Sequence, residues 1–335
     1  MKTTRVLSGL FGMITFACSQ PESVQSPFEK IEPVQEVYQP LTLAEVKPEG
    51  WIKKQIHENL DAVILGMHAR ADNPELLKAH ALKIPVYSFP EYVYEQSKNK
   101  MRVAICGSHG KTTITSMIMH VLQHQKMQFD YLVGAQLAGF ETMVQFSDAP
   151  IMIIEGDEYF ASPLDKRPKF LHYHAQITLI SGIAWDHFNV FPTFSSYTNQ
   201  FKLLMEGTQQ NDALIVFGED DNINLLLAES KIEGQVIKYT TPDYYLENHT
   251  VHLKSNNNNY HFSIFGKHNM QNMEGAKKVC NALGISDADF YTAMQTFHGA
   301  AKRLEILKQT NDHIIFRDFA HAPSKVEATV NAVKE

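Results

Sequence analysis

The residues in this chain best suited to chemistry are Gly107-Ser108-His109-Gly110-Lys111-Thr112-Thr113. A glycine-rich turn that opens a helix can hold phosphates. Its backbone N–H groups point into the concavity, the helix N-terminus adds positive potential, Lys111 reaches the outer phosphates and the Thr112 hydroxyl can ligate Mg²⁺. In the strict GxxxxGK[ST] spacing the first glycine would fall at Ile105, so the motif is the shortened form GxxGKTT, and a helix-capping turn is the plain alternative. Glu155-Gly156-Asp157-Glu158 follows an apolar run at 151–154, and carboxylates at a strand's C-terminal end suit Mg²⁺, a hard cation that prefers oxygen. A solvated acidic turn is the alternative there. Trp185-Asp186-His187 presents a His that reads as a metal ligand, an acid–base group or a hydrogen-bonded loop residue. Gly266-Lys267-His268-Asn269, with Asn272 one turn on, opens a helix; Asn269 is either its cap or, with Asn272, a reader of a nucleobase edge.

These groups need a scaffold that gathers them. Short apolar runs at 62–66, 86–88, 102–106, 151–155, 178–181 and 214–217 read as buried strands, and amphipathic stretches between them read as helices. Asn73-Pro74 caps a helix through Ala81, and a longer helix runs from the phosphate turn to about His124. Alternation of this kind predicts an α/β fold with a parallel sheet, which places ligands at the strands' C-terminal ends. Asn256 to Asn259 lies between two alternating runs and predicts a hairpin. Helices are expected over 269–283 and 287–296, then a strand over 314–316 leading to Asp318 and a helix from Ser324.

Length and composition bound the answer. A chain of 335 residues, 44% hydrophobic and 20% charged, has the make-up of a globular enzyme of about two domains. A net charge of −7 and the lack of any basic run exclude a nucleic-acid partner. The three cysteines are too few and too scattered for a disulfide framework or a zinc site; Cys106 and Cys280 read as small buried hydrophobes. Cys18 differs, because Lys2 and Arg5 precede an apolar stretch over 6–17 that ends at this cysteine, the pattern of a lipoprotein export signal over 1–20. Residues 19–40, rich in Pro, Glu, Gln and Ser, read as a solvated tether. A membrane enters the account only if Cys18 is lipidated.

The order GSHGKTT, EGDEY, WDH, GKHNMQN, KRLE and DFAHAP resembles the Mur ligase family, ATP-dependent amide-forming enzymes of peptidoglycan metabolism, over about Asp61 to Glu335. The resemblance implies a P-loop central domain with a parallel-rich sheet over 101–303. A partial Rossmann-like nucleotide-sugar domain over 61–100 would precede it, and the start of a C-terminal Rossmann-like domain over 304–335 would follow. It also implies roles. Lys111 and the backbone of Gly107, Ser108, His109, Gly110, Thr112 and Thr113 bind the β- and γ-phosphates of ATP. Thr112 and Glu155 hold one Mg²⁺, His187 helps position a second, and Asn269 and Asn272 contact adenine. Arg303 lies near the phosphates, and Asp318 is the ribose or hinge contact. Lys111, Glu155 and His187 are the expected catalytic set. The segments Glu155-Gly156-Asp157-Glu158-Tyr159, Asp165-Lys166-Arg167-Pro168-Lys169-Phe170 and Ala184 to Pro192 look most like the recycling branch, which joins UDP-N-acetylmuramate to the tripeptide L-alanyl-γ-D-glutamyl-meso-diaminopimelate. The L-alanine-adding branch is the alternative.

The pattern departs from the family at both ends. No glycine-rich turn for a UDP diphosphate occurs in residues 1–60, and about 30 residues follow Arg303 where a third domain would need roughly 100. Residues 1–60 therefore read as foreign to the ligase, through gene fusion or a joining error, with 21–60 a tether and non-family segment and the rest a fragment. ATP and UDP-muramate imply the cytoplasm, whereas the export-like signal implies the outside. An exported lipoprotein with a vestigial ATP site is the reading from a different class. A folylpolyglutamate-type ligase and a motor-type NTPase fit the motifs less well.

Overall fold

The computed structural model describes residues 5–8, 62–66, 68–137, 139–247, 250–255, 258–299, 304–310, 313–320 and 323–334. Cys18, Arg303 and the export-like and tether segments over 9–60 lie outside them. The chain divides into two units: Asp72–Val86 belongs to the smaller and Tyr87 onward to the larger, which also includes β1 (Arg5–Ser8). The short strands β2 (Val63–Leu65) and β3 (Val86–Ser88) lie where the chain passes between units. In the smaller unit, α1 (Pro74–Ala81) starts as expected: the Asn73 side chain accepts from Leu76 N at 2.9 Å, with Pro in the first turn. In the larger unit, α2 (Phe89–Ser97) starts with a capping box between Ser88 and Glu91.

The apolar runs do form one sheet. Its strands are β4 (Met101–Cys106), β5 (Asp130–Leu132), β6 (Val144–Gln145), β7 (Ile151–Glu155), β8 (Ile177–Ile180), β9 (Ala213–Phe217) and β10 (Gln235–Tyr239). Their spatial order is β10-β9-β8-β4-β7-β5-β6, parallel throughout except for the antiparallel edge strand β6. Strand alternation divides the interior in two. Val103, Ile105, Ile153, Leu179 and Ile215 face α3 (Lys111–His124) and a later helix, while Ala104, Cys106, Met152, Ile154, Ile180 and Leu214 face α4 (Phe194–Glu206) and α5 (Asp221–Glu229). Because both faces are covered, these strands read as continuous apolar runs and not as alternating ones. Cys106 and Cys280 are buried, and burial pushes both thiols up, as small inert hydrophobes require.

The predicted hairpin forms from β12 (Thr250–Ser255) and β13 (Asn258–Phe262), with β11 (Tyr245–Glu247) added on the far side of β12. Its turn residues 256–257 lie outside the described set. The hairpin packs Val251, Leu253, Tyr260 and Phe262 onto the α3 side of the core with α6 (Lys267–Ala282) and α7 (Asp287–Met294). Here the structure decides against one of the two alternatives, Asn269 as the helix cap. Gly266, at φ +89°, is the N-cap of α6 and has no side-chain cap bond, so Asn269 lies inside the helix and its side-chain amide donates to Phe265 O at 2.8 Å. The chain ends in β14 (Glu305–Gln309) antiparallel to β15 (Ile314–Asp318), which is also parallel to β1, and then α8 (Pro323–Lys334). No helix among the described residues is long and apolar enough to cross a membrane.

Candidate active site

Registers in the central sheet bring the motifs together. Strand β4 pairs Ile105 with Glu155 on one side and Cys106 with Ile180 on the other, so the turn after β4, the acidic quartet after β7 and the loop after β8 all emerge at one edge. The turn needs its glycines. Gly107 has φ +117°, and a Cβ there would lie 2.5 Å from Ser181 Oγ and 2.8 Å from Ser181 N. Gly110, at φ +77°, is the N-cap of α3 and makes no side-chain cap bond, so the positive end of that helix opens at the turn. Ser108 fastens the turn to its neighbours: its N–H donates to Gly182 O at 2.9 Å, its hydroxyl accepts from Ala184 N at 2.9 Å, and it shares a hydrogen bond with Tyr197 OH at 2.7 Å.

Lys111 sits at the centre of the charge. Its ammonium donates to Gly107 O at 2.8 Å and to Glu158 Oε2 at 2.7 Å, with the Glu158 side chain only 1% exposed. Burial opposes the charge on both partners, yet mutual attraction outweighs it. Lys111 is held above its ordinary value, and Glu158 is lowered to about 2. The other oxygen of Glu158 faces His187 Nε2 at 3.4 Å and Tyr197 OH at 3.4 Å. The hydrogen bond to Glu158 raises His187 against the effect of burial. His187 adopts φ +55°, with its N–H donating to Asp186 Oδ1 at 2.8 Å, and Asp186 Oδ2 meets Lys325 Nζ of α8 at 3.2 Å.

Thr112 Oγ1 donates to Glu155 Oε1 at 2.9 Å, and Glu155 Oε2 accepts from Gly134 N at 2.8 Å. A hydroxyl and a carboxylate converging beside a phosphate-type turn are hard oxygen donors that fit Mg²⁺. Asp157, Glu158 and His187 form a second convergence, their ligating atoms all within 4.8 Å of one another. Lys169 pairs with Asp157 at 2.6 Å.

These groups line a cavity of about 450 Å³. Ser108 to Thr113 line it together with Glu155, His187, Asn269, Asn272 and Asp318. Gly107 is not among the lining residues. Asn272 packs directly against Gly110, where a Cβ would collide with its Oδ1. Asp318 accepts from Leu304 N at 3.1 Å and Phe319 N at 3.0 Å, and Thr329 Oγ1 donates to its other oxygen, so it ties together the segment after the central sheet. Sequence reasoning missed Glu158 as the partner of Lys111, along with Tyr197, Lys325 and Asp220. Asp220 caps α5 through Ile223 N and also accepts from Ile183 N at 2.9 Å. A buried lysine in a phosphate turn demands an acid, and Glu158 stood inside a quartet already singled out; nothing comparable marked Tyr197 or Lys325.

Comparison with known proteins gives this arrangement a context. The Mur ligase middle domain matches residues 105–280. A UDP-N-acetylmuramate–L-alanyl-γ-D-glutamyl-meso-2,6-diaminoheptandioate ligase of Haemophilus influenzae is 26% identical over 296 residues, 84% of this chain and 64% of that protein. A UDP-N-acetylmuramate–L-alanine ligase of Syntrophomonas wolfei is 27% identical over 304 residues, 85% of this chain and 63% of that protein. The chain thus spans a little under two thirds of the length of these relatives. Among solved structures, a UDP-N-acetylmuramate:L-alanyl-γ-D-glutamyl-meso-diaminopimelate ligase from Neisseria meningitides shares the fold with a TM-score of 0.65 at 20% identity, covering 73% of this chain and 81% of that one. A UDP-N-acetylmuramate–alanine ligase from Thermotoga maritima does so at 0.62 and 21%, covering 82% and 64%. The α/β fold, the ordered motifs and the match across more than half its length agree: the chain belongs to the Mur ligase family.

Proposed function

We propose that the cavity binds ATP with Mg²⁺ and activates a carboxylate for amide formation, on UDP-N-acetylmuramate and in peptidoglycan recycling. The observation that carries this reading is the convergence of Lys111, Thr112 and Glu155 at the mouth of the Gly107–Thr113 turn. Lys111 and the N-terminus of α3 would hold the outer phosphates. Thr112 and Glu155 would hold one Mg²⁺, with His187 positioned for a second among Asp157 and Glu158. When bound, Mg²⁺ neutralises charge on the phosphate oxygens. Asn269 and Asn272 face the base, and Asp318 faces the ribose side.

A carboxylate is a poor electrophile, so the reaction must first convert it. A muramyl carboxylate oxygen attacks the γ-phosphorus, the bond to the β–γ bridging oxygen breaks, and ADP leaves. An amine nitrogen then attacks the acyl carbon of the resulting acyl phosphate, inorganic phosphate departs, and the nitrogen gives up its proton. Alignment and cationic stabilisation by Lys111 supply most of the acceleration.

The Asp165-Lys166-Arg167-Pro168-Lys169-Phe170 segment favours the tripeptide L-alanyl-γ-D-glutamyl-meso-diaminopimelate as the amine. Relatives named for the tripeptide and for L-alanine are about equally similar, so L-alanine is the second reading. ATP and UDP-muramate locate the reaction in the cytoplasm. Phosphate release with ATP, Mg²⁺ and UDP-N-acetylmuramate, with tripeptide or L-alanine as acceptor and the product weighed by mass spectrometry, tests it. The reading expects release that requires the muramyl substrate and an adduct with the tripeptide. An adduct with L-alanine alone selects the second reading, and ATP turnover indifferent to the muramyl substrate overturns both.

A further inference from the structure

A further convergence of cation-ligating side chains in the larger unit lies outside the cavity lining. Glu91, Asp165 and His172 offer ligating atoms all within 4.8 Å of one another, and none of the three lines the nucleotide cavity. Each is positioned by its own local structure. Glu91 is the third residue of α2; one oxygen accepts from Ser88 N at 2.8 Å, which leaves the other for a further partner. Asp165 is held in a tight turn, its N–H donating to Ser162 Oγ at 3.0 Å while its carbonyl accepts from Ser162 N at 3.1 Å. His172 closes the single 3₁₀ turn Lys169–His172 and is only 6% exposed.

His172 is the unusual member. Its Nε2 is fully buried and makes no hydrogen bond, although Asp165 Oδ2 is 3.3 Å away. A buried polar atom left without a partner costs about 1–3 kcal/mol, and such atoms in native structures commonly await a water or an ion. Burial, and then Arg167, lower the imidazole from its ordinary value. The charges point the same way. Glu91 and Asp165 bring two carboxylates, whereas Arg167 supplies a single positive charge to Asp165 from a side chain that is 63% exposed and can swing aside.

We propose that Glu91, Asp165 and His172 form a binding site for a divalent transition cation of the Zn²⁺ or Mn²⁺ class, distinct from the Mg²⁺ site of the nucleotide cavity. One imidazole nitrogen with two carboxylate oxygens is a mixed donor set that Zn²⁺ and Mn²⁺ accept readily, whereas Mg²⁺ prefers oxygen donors and its own waters. With three protein ligands, water completes the coordination. The cation ties α2 to segment 165–172. Within that segment Lys169 holds Asp157 of the acidic quartet, so the site braces the cavity's carboxylates from behind.

The test uses the full chain carrying His187→Ala, which removes the imidazole of the Asp157–Glu158–His187 group, and titrates it with ZnCl₂ by calorimetry. One Zn²⁺ per chain is expected, weakened about tenfold or more by His172→Gln and by Glu91→Gln. Glu91→Gln keeps an acceptor for the Ser88 N–H, so it remains informative if the buried His172 variant fails to fold by circular dichroism. Arg167→Ala should tighten binding several-fold, because it frees Asp165; a purely structural cluster would gain nothing. Absence of Zn²⁺ binding, or binding unchanged in the Glu91→Gln variant, overturns the proposal.

Discussion

Removing Lys111 tests the charge arrangement of the site more sharply than any other single change. In Lys111→Ala the Glu158 carboxylate, 1% exposed, loses the ammonium at 2.7 Å and keeps only His187 and Tyr197 at 3.4 Å. Breaking a buried ion pair from one side costs about 3–5 kcal/mol, because a desolvated charge is left behind. Part of that is recovered if His187, 30% exposed, protonates more fully in response. A domain stable by about 5–15 kcal/mol survives such a loss but unfolds at a clearly lower urea concentration. Adding Glu158→Gln removes the stranded charge, so the double variant should regain about 2 kcal/mol or more over Lys111→Ala alone.

The pH dependence fixes the sign. Glu158 sits at about 2 in the folded wild type against an ordinary 4.5, so its contribution is complete above pH 4.5 and is lost as pH falls toward 2. Without Lys111, burial dominates and the carboxyl moves up, so the variant is relieved by the same acidification. The penalty of Lys111→Ala, measured by urea unfolding with far-UV circular dichroism, should be largest at pH 7 and shrink below pH 4.5. A penalty under about 1 kcal/mol at pH 7, or one that grows on acidification, refutes the reasoning.

Other perturbations follow from the same geometry. Gly110→Ala forces a side chain into the left-handed region, at about 1–2 kcal/mol, and pushes aside Asn272; a lower melting temperature and weaker ATP binding by calorimetry are expected, and wild-type affinity would contradict the role given to that turn. Glu155→Gln removes the charge while its amide oxygen keeps the bond from Gly134 N and its amide nitrogen donates to Thr112 Oγ1, so the Mg²⁺ concentration that half-saturates nucleotide binding should rise about tenfold or more, with stability nearly unchanged. Arg102, 5% exposed, donates to the carbonyls of Ser97, Lys98, Tyr173 and His174. Ser97 O keeps Lys100 N at 2.9 Å, but Arg102→Met strands the other carbonyls at about 1–3 kcal/mol each, and a melting temperature within a degree of wild type would show the network to be dispensable.

The central sheet was legible because strands covered on both faces must be apolar throughout, and β4, β7, β8 and β9 carried that signal. The edges were not. Val144 and Gln145 of β6 are both exposed and β10 is largely so, which leaves no pattern to read. Strand β5 hides Asp130, a fully buried acid that Lys100 and Ser147 satisfy from elsewhere in the chain. The phosphate turn and its carboxylates were legible for a related reason: backbone geometry dictates glycine, and a hard cation dictates oxygen. The pairings were not, because sheet register decides which acid of Glu155, Asp157 and Glu158 meets Lys111 and which meets Thr112. The contact between Asp186 and Lys325 joins residues 139 positions apart, and local spacing carries no trace of it.

The central claim is that the Gly107–Thr113 turn is a nucleotide site. Calorimetric titration of the full chain with ATP and Mg²⁺ tests it most directly, with the Lys111→Ala/Glu158→Gln double variant as the folded control. One ATP per chain in the wild type, lost or weakened at least about a hundredfold in the double variant, is the expected result. No binding to the wild type, or equal binding to both proteins, would contradict the account.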